Sequence, residues 1–364
     1  MLLAPLACLA LSALPGSAQT PAGSQTPPKE PTAVEIETLR LLEAQIASLD
    51  KDTGGFTGAV LVASKGKILL EKGYGVADAK TGRKIEADAL FDWASVSKQF
   101  TAAAILKLEL QKKLSIKDKL GRFFPKAPPD KAEITLLQML SHTSGLPKGF
   151  DPAWKWDAST RQGIFDLAFS LPLAQKPGTK FEYNNMPYGF LAGLVEELSG
   201  KPFELYCCET LFDPAGMKSA SFIGHSRLDT ARVPKDERGT GNFFPYGPRL
   251  DWGYRGCGGV MASVHDMFLW DRALRDDKFF PKNARQEFYT PVLAGYSLGW
   301  NVGDDVKGRR VDHGGDTKAA TTYYGRWLEE DLVVAMAYTY KPAIDKFVTG
   351  RALAQIARSG KPPK

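Results

Sequence analysis

Apolar residues recur at helical spacing over residues 35–49, where Ile36, Leu39, Leu42 and Ile46 fall on one stripe. Residues 58–63 and 67–74 read as two strands of a hairpin turning at Lys65-Gly66. Helical periodicity then takes over. It predicts helices at about 95–112, 134–142, 161–170, 187–199 and 203–211, the last two separated by Gly200-Lys201-Pro202. Residues 224–259 are rich in Gly, Pro, Arg and Asp with little periodicity, which predicts long loops. Ser263-Val264-His265-Asp266 opens a helix through Leu274 with a start resembling a capping box. Four strands are predicted at 296–302, 309–313, 319–327 and 332–338, and a closing helix at 344–357. Strands at both ends and helices between them predict an α/β (α+β) fold. An antiparallel β-sheet, flanked by helices, would draw on about 34–90 and 258–358, with an all-helical domain inserted at about 110–257.

The first residues read differently. The apolar run 2–14 is too short to span a bilayer, and Gly16-Ser17-Ala18 supplies small residues of the kind a signal peptidase cleaves after. Residues 1–18 are therefore expected to be a secretory signal, residues 19–33 a proline-rich flexible spacer, and 34–364 the mature domain, periplasmic or secreted. No other stretch is long and apolar enough to anchor the chain in a membrane. The 364 residues carry a net charge of +6 with no basic cluster, which argues against nucleic acid as a partner. Cys207, Cys208 and Cys257 lack metal-ligand spacing. A bridge from Cys257 to Cys207 or Cys208 is conceivable, but buried thiols are the expectation.

Three short patterns carry chemistry. Ser95 and Lys98 lie three apart at the head of an alanine- and leucine-rich run, so on a helix they share a face. A serine needs a base to attack a carbonyl, and an adjacent amine can serve. Tyr183-Asn184-Asn185 offers a phenol that could move the same proton if it lies near the Lys98 ammonium. The Asn185 amide could hold Lys98 or a substrate carbonyl. His313-Gly314-Gly315-Asp316 ends a predicted strand. Its glycines permit close approach, and the Asp316 N–H could join that of Ser95 around an oxyanion.

Together with 134–147, 211–217 and 258–270, these segments occur in an order that resembles the β-lactamase-related serine hydrolases: class C β-lactamases, DD-peptidases and carboxylesterases of that fold. The resemblance covers roughly 35–358. It implies the serine β-lactamase/DD-peptidase fold and no metal or organic cofactor. Ser95 would be the acylated nucleophile and Lys98 its partner. Tyr183 and Asn185 would be the Y-x-N pair, and His313-Gly314-Gly315 the third motif. Many members have lysine where His313 stands. A histidine is mostly neutral at pH 7, so a substrate carboxylate should be held less well. The expected activity is an exported hydrolase of ester, amide or peptide bonds in a small-molecule or peptide substrate, with β-lactams less favoured. The alternative is a non-catalytic binder of cell-wall peptide.

Competing signals are weaker. Gly295-Tyr296-Ser297-Leu298-Gly299 matches the nucleophile elbow of α/β-hydrolases but lacks a following helix. His142, His225 and His265 lack metal-ligand spacing, and His142 is expected to support a helix end near the site. Ser144 has no lysine three residues on. Trp154, Trp156, Phe244, Tyr246, Trp252 and Tyr254 could line a cleft or simply pack.

Overall fold

Strand pairing dominates the computed structural model, which describes residues 30–49, 55–148, 160–235, 250–339 and 343–363. The strands are β1 (Gly58–Ser64), β2 (Lys67–Tyr74), β3 (Val76–Asp78), β4 (Arg83–Lys84), β5 (Phe91–Asp92), β6 (Ser221–Phe222), β7 (Val260–Ala262), β8 (Asn301–Asp305), β9 (Gly308–Asp316), β10 (Ala320–Trp327) and β11 (Leu332–Thr339). The helices are α1 (Ala33–Ala47), α2 (Lys98–Leu110), α3 (Leu120–Phe123), α4 (Pro129–Ala132), α5 (Leu136–Leu140), α6 (Arg161–Ser170), α7 (Met186–Ser199), α8 (Phe203–Cys207), α9 (Val264–Ala273), α10 (Lys282–Tyr289) and α11 (Lys346–Ser359).

Six strands form one antiparallel sheet in the order β2-β1-β11-β10-β9-β8. The first hairpin thus joins the last four strands, as the two-ended sheet expectation requires. Alternation explains how β1 can be buried from Gly58 to Ala63. Val60 and Val62 pack with Leu42 of α1 and Leu353 of α11. Ala59, Leu61 and Ala63 belong to the larger cluster that includes α2, α7 and α9. Residues Ala33–Lys364 form one compact unit.

Several boundaries differ from expectation. The strand expected at 296–302 begins only at Asn301. A turn at Gly299 (φ +80°) presses the preceding segment against α2, where any Cβ would lie 2.9 Å from Gln99 N. The helix expected at 95–112 starts as a 3-10 turn, Ala94–Ser97. The 203–211 helix ends at Cys207 and widens into a π turn over Cys208–Phe212. The inserted region is not all helical: its β6 pairs with β7, which also pairs with β5 just before Ser95. The conceivable disulfide is absent, since Cys207, Cys208 and Cys257 are free and buried. The signal expectation and nearly all of the spacer lie outside the described residues, and Ala33 already begins α1. Among the described residues, no helix is long and apolar enough to cross a membrane.

A buried ion pair fastens α9 to the sheet. Arg326 of β10 donates through Nε to Asp271 Oδ1 at 2.6 Å, and both side chains are almost fully buried. Burial alone would raise the Asp271 carboxyl, but Arg326, Arg275 and Arg272 outweigh it and hold it at about 2. Asp271→Ala should cost about 3–5 kcal/mol in urea unfolding, because it strands a buried guanidinium. A loss below about 1 kcal/mol would mean that Arg326 does not need this partner.

Candidate active site

The Ser95 turn is held from several sides. Trp93 N donates to Val260 O at 2.8 Å, and Trp93 Nε1 to Ala262 O at 3.0 Å. The next residue, Ala94, has φ +45°, a left-handed conformation that costs an L-residue free energy. Its N–H donates to Asp92 Oδ1 at 2.8 Å. Ser95 follows in the first 3-10 turn, where backbone N–H groups have no partner within the helix. Lys98 begins α2 and is fully buried. Its Nζ donates to Ser95 Oγ and to Cys257 O, both at 3.1 Å. The same nitrogen lies 4.9 Å from the Tyr183 ring centroid and 5.5 Å from that of Tyr188.

Tyr183 arrives on a segment laced to residues 142–147. Glu182 N donates to His142 O at 2.9 Å, and Asn184 N to His142 Nδ1 at 3.2 Å. Asn184 Nδ2 donates to Leu146 O and Pro147 O, while its Oδ1 accepts from Met186 N at the start of α7. Asn185 is the N-cap of α7 by position, but its side chain makes no cap bond, and it is Asn184 Oδ1 that receives the Met186 N–H. Nor does Asn185 hold Lys98, because the Cys257 carbonyl occupies that role. Among the described residues, Tyr183 Oη and Asn185 Oδ1 are buried without a hydrogen-bond partner.

His142 supports this junction, as expected. Its ring lies 4.3 Å from that of Tyr183. Since Nδ1 accepts, a neutral ring carries its proton on Nε2. Burial holds this imidazole well below its ordinary pKa, and the Lys98 charge acts in the same direction.

The third motif runs along β9 beyond its pairing with β8, which reaches Asp312. His313 Nδ1 lies 2.7 Å from Gly314 O, which can only accept, so Nδ1 carries the proton. Nε2 is then the acceptor for the Tyr296 hydroxyl at 3.0 Å. Burial, with Lys98 adding to it, lowers the His313 pKa to about 3. The ring is thus neutral at pH 7, and both nitrogens are engaged within the protein. Gly315 is a glycine for a visible reason. A Cβ there would lie 2.6 Å from Trp93 O and 2.8 Å from Ala94 Cβ. Thr317 N donates across the hairpin to Ala320 O at 2.8 Å, so strand alternation turns the Asp316 N–H toward the opposite edge.

The Asp316 carboxylate meets Lys346 Nζ, of α11, at 2.5 Å. Lys346 is a nearby cation that sequence spacing could not reveal. Arg310 instead pairs with Asp312 at 2.8 Å, Arg309 donates to Tyr289 O, and Lys318 is exposed.

The roles of Tyr296, Asp92 and the Cys257 carbonyl escaped sequence reasoning, and Tyr254 was foreseen only as a cleft-lining or packing aromatic. Tyr296 sits inside the G-x-S-x-G pattern, whose Ser297 is fully buried. Tyr254 donates to Asp92 Oδ2 at 2.8 Å. Ser144 Oγ accepts from Leu146 N in a turn. His225 contacts Ser221, and His265 contacts Glu71. Among the described residues, no group of three or more His, Cys, Asp or Glu is placed to hold a metal. Trp252 and Tyr254 are buried, while Trp154, Trp156, Phe244 and Tyr246 lie outside the described residues.

A family model described as Beta-lactamase matches residues 42–358. The chain belongs to the Beta-lactamase family. It is a β-lactamase-related serine hydrolase with the fold expected of one. It is 30% identical to Penicillin-binding protein 4* of Bacillus subtilis over 75% of this chain and 66% of that protein. It is also 30% identical to the putative penicillin-binding protein PbpX of Bacillus subtilis, over 82% of this chain and 76% of that one. A D-aminopeptidase of Brucella anthropi is 28% identical over 75% of this chain, which spans only 54% of that enzyme. Among solved structures, D-amino acid amidase from Ochrobactrum anthropi SV3 complexed with D-phenylalanine superposes with a TM-score of 0.73 at 18% identity, covering 89% of this chain and 100% of that one.

The two buried histidines of this β-lactamase-related hydrolase give a pH prediction. Each has a folded pKa below its unfolded value of about 6.5, so its contribution to stability is complete above that pH and fades as pH falls toward the folded value, about 3 for His313. Between pH 7 and pH 5, His313 should cost the wild type about 1–2 kcal/mol, and His142 acts in the same direction. His313→Gln should flatten urea-unfolding stability across that interval by about one such amount. Equal pH slopes for the two proteins would show that His313 is not held neutral.

Proposed function

We propose that this protein is an exported serine hydrolase that forms an acyl-enzyme on Ser95 and releases it to water. The observation that carries this reading is the 3.1 Å contact between Lys98 Nζ and Ser95 Oγ beside the ring of Tyr183, whose hydroxyl has no partner. Lys98 orients the serine oxygen. From beside the Tyr183 ring, its charge offsets the charge that the phenol acquires on losing a proton. Tyr183 takes the Ser95 proton as the nucleophile attacks and returns it to the leaving group. Catalytic hydrogen bonds that are loose in the free enzyme tighten around bound substrate. The N–H groups of Ser95 and Asp316 receive the oxyanion. Asn185 Oδ1 waits for a donor on the substrate, and the β9 backbone past its pairing with β8 offers an edge along which the substrate lies. Export rests on the apolar run and small residues of 1–18.

The favoured substrates are esters, amides and peptides that do not require a cation for a carboxylate next to the scissile bond. What supports this is His313, neutral and with both nitrogens engaged. The names of the D-aminopeptidase and D-amino acid amidase relatives fit amide cleavage. β-Lactams and peptides ending in a free D-Ala carboxylate should be poorer.

A panel of p-nitrophenyl esters, D-amino acid p-nitroanilides and nitrocefin tests this. Ser95→Ala should abolish turnover of every substrate while leaving the unfolding midpoint near that of wild type. Tyr183→Phe should lower kcat by about 10²–10⁴-fold. Full activity in Ser95→Ala would end the assignment, and nitrocefin as the best substrate would end the specificity reading.

A further inference from the structure

Asp92 takes no part in the proposed reaction, yet it gathers donors from both sides of the site. Its Oδ1 accepts from Ala94 N at 2.8 Å and from Gly259 N at 3.2 Å. Its Oδ2 accepts from the Tyr254 hydroxyl at 2.8 Å. The side chain is 4% exposed, and among the described residues no cation is paired with it. Burial raises this carboxyl to about 6, with the three donors pulling it back down. A carboxylate placed so deep without a cation is costly, and an apolar residue could have packed there.

The donors show what that cost maintains. Ala94 is the left-handed residue whose conformation aims Ser95. Tyr254 and Gly259 bracket the segment whose Cys257 carbonyl receives Lys98 Nζ and whose Gly256 carbonyl receives Thr101 Oγ1 of α2. One carboxyl therefore joins the turn carrying the hydroxyl to the loop aiming the amine. We propose that Asp92 is a positioning residue that sets Ser95 relative to Lys98, and this rests on the Ser95 reaction proposed above.

The geometry separates positioning from folding. Trp93 N bonds to Val260 O, Trp93 Nε1 bonds to Ala262 O, and β5 pairs with β7, all without Asp92. Loss of the carboxyl should leave the strand in place while releasing Ala94 and the 254–259 loop. A displacement of about 1 Å between reacting groups can cost about 10²-fold in rate.

The test compares Asp92→Ala, Asp92→Asn and Ser95→Ala on a p-nitrophenyl ester. Three quantities are read for each: kcat, KM and the rate of labelling by a fluorophosphonate. Asp92→Ala should fold, keep KM within about twofold and lose roughly 10²-fold in kcat, with labelling slowed in parallel. Asp92→Asn keeps an amide oxygen for Ala94 and Gly259 but accepts more weakly, so it should lose only about tenfold. Should Asp92→Ala fail to fold, Asp92→Asn carries the test. Wild-type kcat and labelling in the folded Asp92 variant, or a raised KM at unchanged kcat, overturns the positioning role. If Ser95→Ala is dead in that same experiment, the Ser95 reaction survives. Turnover by Ser95→Ala would instead remove the reaction on which the role rests.

Discussion

A single amine with no solvent contact organises this molecule. Lys98 is completely buried, and desolvating a charged amine costs several kcal/mol unless partners replace the water. Here the replacements are a serine hydroxyl, a backbone carbonyl and two aromatic faces. A desolvated cation over an aromatic ring gains roughly 2 kcal/mol per contact, and a charge-assisted hydrogen bond about 1.5–3. The sum is comparable to the desolvation cost, so the partners together offset the burial of the charge. Each comes from a different element: the 3-10 turn, the loop before β7, the segment before α7, and α7 itself. Satisfying Lys98 therefore requires the inserted region, which supplies Cys257 O, Tyr183 and Tyr188, to close on the turn that carries Ser95.

The other charge carriers near this amine are kept neutral or turned away. Both neighbouring imidazoles are pushed far below their ordinary pKa by burial, with the Lys98 charge adding to the effect. Tyr296 completes His313 by donating to Nε2, so the third motif offers a ligand a backbone edge and a neutral ring rather than a cation. Lys346 approaches that edge but is engaged by the Asp316 carboxylate. A site with one central cation and a neutral flank suits substrates whose polarity lies in the carbonyl itself.

Much of this was legible in the chain because it is local. Ser95 and Lys98 meet through helical spacing alone, and Gly315 could be read as a point of close approach before its neighbour was known. The two-ended sheet followed from strand-like runs at both ends of the chain. What escaped depends on tertiary pairing. Tyr296 was hidden in a hydrolase-like pattern because its partner, His313, lies on the far side of the β8–β9 hairpin. Asp92 drew no reading from the sequence because two of its three donors, Tyr254 and Gly259, come from a distant segment. Asn184 and Asn185 are adjacent and chemically identical, and only the position of the 142–147 segment decides which side chain receives the first N–H of α7. The strand start at Asn301 was missed because Gly299, packed against α2, overrides local β propensity.

The most direct measurement is peptide-mapping mass spectrometry of the enzyme acid-quenched during turnover of an active ester. A covalent substrate reaction at the Lys98 site requires the acyl mass on the peptide containing Ser95, at a level that falls as substrate is exhausted. Continued turnover with that peptide unmodified, or with the acyl group on Ser144 or Ser297, would contradict it.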